Sequence, residues 1–158
     1  MKLAEALSLR ANVHRRIGQL QARIASNARY QEGEEPSEDA AALLLEVDEA
    51  LREFEELIRR VNRTNAATAM EVDGTLTDAL ARRDVLRLRH QVLTTAADAA
   101  AGSNQHAYTR QLRSELKMFS ALPVGDLRAR ADQVARELRE LDVRIQRTNW
   151  EVDLQGLR

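Results

Sequence analysis

Apolar residues recur along the chain at alternating intervals of three and four, which places them on one face of an α-helix. Four segments show this spacing and predict four long helices, over about residues 3–29, 38–68, 75–101 and 126–152. The predicted core-facing positions are Val13, Ile17, Leu20 and Ile24 in helix one; Leu44, Val47, Leu51, Phe54, Ile58 and Val61 in helix two; Val85, Leu88 and Val92 in helix three; and Leu127, Ala131, Val134, Leu138, Leu141 and Ile145 in helix four.

Turn-forming residues separate these segments. Gly33 and Pro36 interrupt the chain after helix one, and Ser37 is the predicted N-cap of helix two. Thr75 and Asp78 have the spacing of a capping box at the start of helix three.

The segment before helix four has no clear period. Asp126 follows Pro123 and Gly125 and is the predicted N-cap of helix four. Residues 102–125 fit either a helical turn or a small hairpin.

Two segments from the first half of the chain recur in its second half. Residues 3–10 recur as residues 76–83, and residues 48–65 recur as 132–149 with nine of eighteen positions identical. A helical hairpin used twice explains both matches. We therefore expect one all-α domain over residues 1–158, an antiparallel four-helix bundle built from a first hairpin (1–72) and a second hairpin (73–158) with an irregular insertion between helices three and four.

Composition narrows the function classes. The net charge is −1, which gives no general attraction to nucleic acid, and there is no cysteine for a disulfide or a thiolate metal site. The longest uncharged apolar run near the start, residues 40–45, is far short of a membrane span, and no signal-peptide pattern precedes it. We expect a soluble, cytoplasmic protein without membrane or nucleic-acid partners.

Charge is nevertheless segregated between the first two helices. Residues 1–30 carry six Lys and Arg against Glu5 alone, and residues 31–57 carry eleven carboxylates against Arg52 alone. Opposite charges on two antiparallel helices predict ion pairs that set their register, each worth only about 0–1 kcal/mol.

The repeat also duplicates a set of polar residues at the helix ends. An antiparallel hairpin would place Glu5 and Arg10 near residues 63–65, and would place Asp78 and Arg83 near residues 147–149. The candidate ligand-binding residues are therefore Glu5, Arg10, Arg63, Thr64, Asn65, Asp78, Arg83, Arg147, Thr148 and Asn149. Paired guanidinium groups offer forked donors to a small anionic ligand, a carboxylate or phosphate. Asn65 and Thr148 fall on predicted core-facing positions.

A structural role explains the same residues. Acidic residues in first helical turns and basic residues in last turns are favoured by the helix dipole, and buried polar groups usually pair with each other. Both alternatives stay open at this stage.

Other chemistry has less support. None of His14, His90 and His106 follows a Glu at the i, i+3 spacing of a di-iron bundle, so no metal or other cofactor is predicted. No serine lies in a glycine-flanked nucleophile elbow, and no catalytic residue is predicted.

Several blocks resemble a known group of proteins. They are Leu-x-Glu-Ala-Leu near the start and residues 61–66, 77–81, 83–84 and 148–150. Together they resemble a family of small bacterial proteins of unknown activity, some labelled septicolysin. The resemblance implies an all-helical fold and homo-oligomers, and the cytolytic label conflicts with the absence of a membrane-inserting segment. The expected function is a non-enzymatic, homo-oligomeric helical scaffold or interaction protein; the alternative is a small-ligand-binding protein or enzyme using the duplicated polar residues.

Overall fold

The computed structural model describes residues 1–102 and 116–156. It contains four long helices: α1 (Leu3–Asn27), α2 (Ala40–Ala67), α3 (Leu76–Ala100) and α4 (Val124–Glu151), with a short 3₁₀ turn at Glu71–Asp73. The predicted all-α fold with four helices is confirmed.

The segment between α3 and α4 is irregular where the structure describes it. Residues 116–123 form neither helix nor strand. The remainder of the predicted turn or hairpin, residues 103–115, lies outside the described residues.

The chain divides into two compact units, and the division differs from the predicted hairpin boundary. The first unit comprises Met1–Thr77 and Gln146–Arg158, and the second comprises Asp78–Ile145. The first unit therefore contains α1, α2 and the adjoining ends of α3 and α4, whereas the second contains most of α3 and α4.

The α1–α2 hairpin has a core of aliphatic side chains. Val13 and Leu20 of α1 are buried against Leu43, Ala50 and Leu57 of α2, and Ile17 and Ile24 pack at the edge of this core. The predicted apolar face of α1 is thus confirmed.

Ion pairs across this hairpin join the basic and acidic segments. Arg16 Nη2 lies 2.7 Å from Glu46 Oε1, and Arg23 pairs with Glu38. The Arg23 hydrogen bond lowers the pKa of the Glu38 carboxyl below its ordinary value. The predicted complementarity of the two helices is present, on side chains that remain partly exposed.

The predicted core face of α2 is wrong at Leu44 and Leu51, which are 53% and 45% exposed, while the neighbouring Leu43 and Ala50 are buried. At its other positions the prediction is confirmed for Val61, which is buried, and for Val47 and Phe54, which pack against the core. Residues 43–45 are three successive leucines, so apolarity alone does not say which one faces inward. Ala50 is weakly apolar, but its small side chain suits close packing between two helices.

The helix starts also differ from the predictions. Asp39, not Ser37, caps α2, since its Oδ1 accepts from the Ala41 N–H at 2.9 Å and from the Ala42 N–H at 3.3 Å. Helix α4 begins at Val124, which places Asp126 in its first turn instead of at its N-cap. There its negative charge still faces the positive end of the helix dipole.

The second unit pairs α3 with α4. Charged residues join the two helices, with Arg128 Nη2 2.6 Å from Asp98 Oδ1 and Arg87 Nη2 3.8 Å from Asp142 Oδ2. The predicted face of α4 is confirmed for its buried members, which are Leu127, Ala131, Val134, Leu141 and Ile145.

The predicted core face of α3 is wrong. Leu86 and Leu93 are buried, whereas Val85, Leu88 and Val92 are 56%, 62% and 66% exposed. Helix α3 carries two apolar faces, and periodicity identified the one that is not buried in this chain.

Candidate functional site

The first candidate site lies in the first unit, where two short backbone pairings join helix ends. The Leu3 N–H donates to the Val152 carbonyl and the Leu154 N–H to the Met1 carbonyl, both at 2.9 Å. These bonds attach the start of α1 to the chain leaving α4.

An equivalent pairing attaches the chain leaving α2 to the start of α3. The Leu76 N–H donates to the Thr68 carbonyl at 2.8 Å, and the Met70 N–H to the Gly74 carbonyl at 2.6 Å. Gly74 has φ +81°, a conformation that favours glycine, so the turn depends on this residue.

The two pairings correspond position by position. If the spacing of the two repeated blocks is extended beyond them, Met1, Lys2 and Leu3 match Gly74, Thr75 and Leu76, and residues 68–70 match 152–154. Even the isolated bridges match, since Lys2 pairs with Asp153 as Thr75 pairs with Ala69.

The backbone bonds of the start of α1 go to the segment after α4, which the sequence pattern did not predict. The Lys2 Nζ reinforces this contact by donating to the Glu151 carbonyl at 3.0 Å and lying 3.1 Å from Asp153 Oδ1. The Glu5 carboxylate accepts from the Lys2 N–H at 2.7 Å and so caps α1. The placement of Glu5 and Arg10 near residues 63–65 stays a prediction.

Thr64 is the most deeply placed of the predicted site residues. Its side chain is fully buried, and its hydroxyl donates to the Arg60 carbonyl at 2.8 Å and accepts from the Gln155 N–H at 3.0 Å. Arg60 Nε donates to the Gln155 carbonyl at 3.0 Å, so one residue after α4 is held at both backbone groups. The Thr64 hydroxyl thus makes its hydrogen bonds to other groups of this chain, as the structural role predicts.

The predicted core-facing polar positions are shifted by one residue. Thr64 and Asn149 are buried, whereas Asn65 and Thr148 are only half-buried. In α2 the buried position is one residue earlier than predicted, and in α4 it is one residue later.

The remaining predicted site residues are distributed between the two units. Arg10 is half-buried, while Arg63 and Arg147 are exposed, and all three belong to the first unit. Asp78 and Arg83 belong to the second, where Arg83 Nε is buried and lies 3.5 Å from Asp84 Oδ1, longer than a hydrogen bond. Whether these residues bind a small anion stays a prediction.

Sequence reasoning missed two participants in this site. Arg60 holds the segment after α4, and Asp73 is buried in the turn before α3. Arg60 belonged to the identical positions of the repeated block, paired with Arg144, and this was the available signal.

The second candidate site is a groove in the second unit, which we call the α3 groove. It has a volume of about 690 Å³ and is lined by Val85, Leu88, Arg89, Val92, Leu93, Arg130, Gln133 and Val134. The exposed face of α3 forms one wall. The charged residues that line it are both arginines.

The α3 groove has no apolar counterpart at the matching positions of α1. Asn12, Arg15 and Gln19 stand where α3 has Val85, Leu88 and Val92. The cores show the opposite behaviour, since Leu3, Ala6 and Val13 are buried like Leu76, Ala79 and Leu86. The exposed apolar residues of α3 are therefore not needed for a hairpin of this kind to fold.

The described residues contain neither a metal-ligand cluster nor a membrane-spanning helix. Within residues 1–102 and 116–156, no three His, Asp or Glu side chains come together as a metal site would require. None of the helices in these ranges has an apolar stretch sufficient to cross a membrane.

Comparison with known proteins identifies the relatives of this chain. The chain is similar to a functionally unknown conserved protein from Corynebacterium diphtheriae, with 37% sequence identity and a TM-score of 0.89 to its crystal structure. The similarity covers 98% of this chain and 99% of that protein. No curated protein matches the chain. Neither finding concerns the septicolysin label, so that resemblance stays a prediction. Residues 10–154 match DUF6847, and the chain therefore belongs to this protein family of unknown function.

Proposed function

We propose that this protein is a homo-oligomeric helical scaffold or interaction protein that acts in the cytoplasm. The observation that carries the proposal is the apolar wall of the α3 groove. Val85, Leu88 and Val92 are all more than half exposed and lie on one face of α3. Contiguous exposed apolar surface rimmed by polar residues is typical of sites where proteins associate.

The energetic argument favours burial of this wall by another protein surface. Burying the exposed part of one such side chain contributes roughly 1–2 kcal/mol to the free energy of association. This value allows for the part of the side chain that is already covered. Three side chains give a central apolar cluster, and Arg89, Arg130 and Gln133 supply a polar rim. This composition suits an interface better than a catalytic pocket, which needs convergent acid, base or nucleophilic groups.

Sedimentation velocity over a range of protein concentrations tests the proposal. We expect the wild-type chain to sediment as an oligomer whose population rises with concentration, and Leu88→Glu to shift it towards the 17.8 kDa monomer. Val143→Glu is the matched control, because Val143 is 64% exposed on α4 but lies outside the groove lining. A wild-type chain that stays monomeric at every concentration would refute the proposal.

A further inference from the structure

A second exposed apolar surface lies on α2, and it differs from the α3 groove in charge. Leu44 and Leu51 are about half exposed, and Asp48 is exposed between them. These residues are spaced i, i+4 and i+7, so they share one face of the helix. We call them the α2 face.

The α2 face and the α3 groove carry the same pattern with opposite charge. On α2 the order is Leu44, Asp48, Leu51; on α3 it is Val85, Arg89, Val92, at identical intervals of four and three. The two apolar side chains of each set are therefore separated by the same rise of about 10 Å, with the charge between them.

The surrounding charges extend this complementarity. The α2 face belongs to the acidic segment over residues 31–57, whereas the α3 groove adds Arg130 to Arg89. Apposing two α3 grooves would bring arginines against arginines, which opposes association. Apposing an α2 face and an α3 groove brings an acid to a base.

Neither surface is repeated at the matching helix positions of the other hairpin. The positions of α4 that match Leu44 and Leu51 are Arg128 and Ala135, just as the positions of α1 that match the groove wall are polar. Each hairpin thus carries one surface that the other lacks.

On these grounds we infer that the α2 face of one copy docks into the α3 groove of a second copy. This inference rests on the proposed homo-oligomer and specifies its interface. Because different surfaces meet, this contact gives a two-fold dimer where two copies exchange both contacts, and closed rings or open chains where each contact joins a new copy.

A mixing experiment with two blocked variants tests the pairing. Leu44→Glu with Leu51→Glu blocks the α2 face, and Leu88→Glu with Val92→Glu blocks the α3 groove. All four side chains are at least 45% exposed, so we expect both variants to keep the wild-type circular dichroism spectrum. Each variant alone should be monomeric, with self-association weakened at least about tenfold.

An equimolar mixture should form one species, at twice the 17.8 kDa mass of the chain. One intact α2 face and one intact α3 groove remain in the mixture, which permits a single contact and no further growth. The Val143→Glu variant should still assemble like the wild type.

The charge pattern gives an independent readout. Asp48→Arg and Arg89→Glu should each weaken assembly, and the double variant carrying both changes should recover it, because the Arg and Glu then exchange places across the contact. If the double variant loses as much free energy of association as the two single variants together, the pairing of Asp48 with Arg89 is contradicted.

The results separate failure of this inference from failure of the proposed function. An α2-blocked variant that assembles like the wild type overturns this contact while leaving the oligomer intact. Two monomeric variants whose mixture stays monomeric also overturn it. A monomeric wild type overturns both proposals.

Discussion

Replacing Thr64 with valine tests whether the hydrogen bonds at the polar end of the first unit, where Thr64 contacts Gln155, stabilise the fold. We call this arrangement the structural joint. The Thr64 hydroxyl makes two hydrogen bonds, donating to the Arg60 carbonyl at 2.8 Å and accepting from the Gln155 N–H at 3.0 Å. Valine has nearly the same volume, so the change removes the hydroxyl without opening a cavity. It should therefore report on the hydrogen bonds alone.

The magnitude follows from what replaces each bond. A neutral hydrogen bond contributes a net of roughly 0.5–1.5 kcal/mol, and a polar group left unpaired costs more only where water cannot reach it. Gln155 is exposed, so water can replace the hydroxyl at its N–H. We expect Thr64→Val to lower the free energy of unfolding by about 1–2 kcal/mol, which corresponds to a decrease of about 0.5–1 M in the urea midpoint.

Urea unfolding monitored by circular dichroism provides the measurement, and the single tryptophan, Trp150, provides a second probe. Thr148→Val is the matched control, because Thr148 occupies the corresponding position of the second repeated block and is only half-buried. We expect Thr148→Val to lower the free energy of unfolding by less than Thr64→Val does. A Thr64→Val midpoint equal to that of the wild type would refute the structural joint and would favour the ligand-binding alternative for this hydroxyl.

Two further predictions concern the α1–α2 hairpin. Asp39→Ala should lower the free energy of unfolding by about 1 kcal/mol through loss of the α2 cap, whereas Ser37→Ala should change it by less than about 0.5 kcal/mol; equal effects in thermal denaturation would contradict the assignment of the cap. Glu38→Gln should remove a stabilising contribution that is present at neutral pH. Because Arg23 holds the pKa of the Glu38 carboxyl below its ordinary value near 4.5, this contribution is lost as the pH falls through the lowered value. Thermal melts of wild type and variant should therefore differ at neutral pH and converge in acid, and a constant difference would count against the ion pair.

Helix number, type and approximate bounds were predictable because long periodic segments carry a strong local signal. The bounds of α1 and α3 differ from the predictions by at most two residues, and most of the predicted α4 face is buried. These features depend on apolar spacing along one helix, which the sequence contains.

The choice between two apolar faces on one helix was not predictable in the same way. On α2 the buried residues are Leu43 and Ala50 instead of Leu44 and Leu51, and on α3 they are Leu86 and Leu93 instead of Val85 and Val92. Both helices have apolar residues at adjacent positions, so spacing gives two solutions. Which face is buried depends on packing against the neighbouring helix, information that no single helix carries.

The polar end illustrates a different limit. The proposed repeat includes Thr64 and Asn149, both of which are buried, but it does not indicate the partners of the helix ends. Backbone bonds join the start of α1 to the segment after α4, and the chain leaving α2 to the start of α3. Backbone groups are the same in every residue, so side-chain patterns contain little information about such pairings.

The two errors in assigning apolar faces bear directly on function. In both cases, on α2 and on α3, apolar side chains at predicted core positions are about half exposed or more in this chain. On the proposed repeat, the matching helices α4 and α1 have mostly polar or small residues at those positions while keeping the same buried ones. Burial in the two cores accounts for what the two hairpins share, and the proposed association would account for where they differ. Because the differing surfaces are opposite in charge and equal in spacing, we infer that each is the binding site of the other.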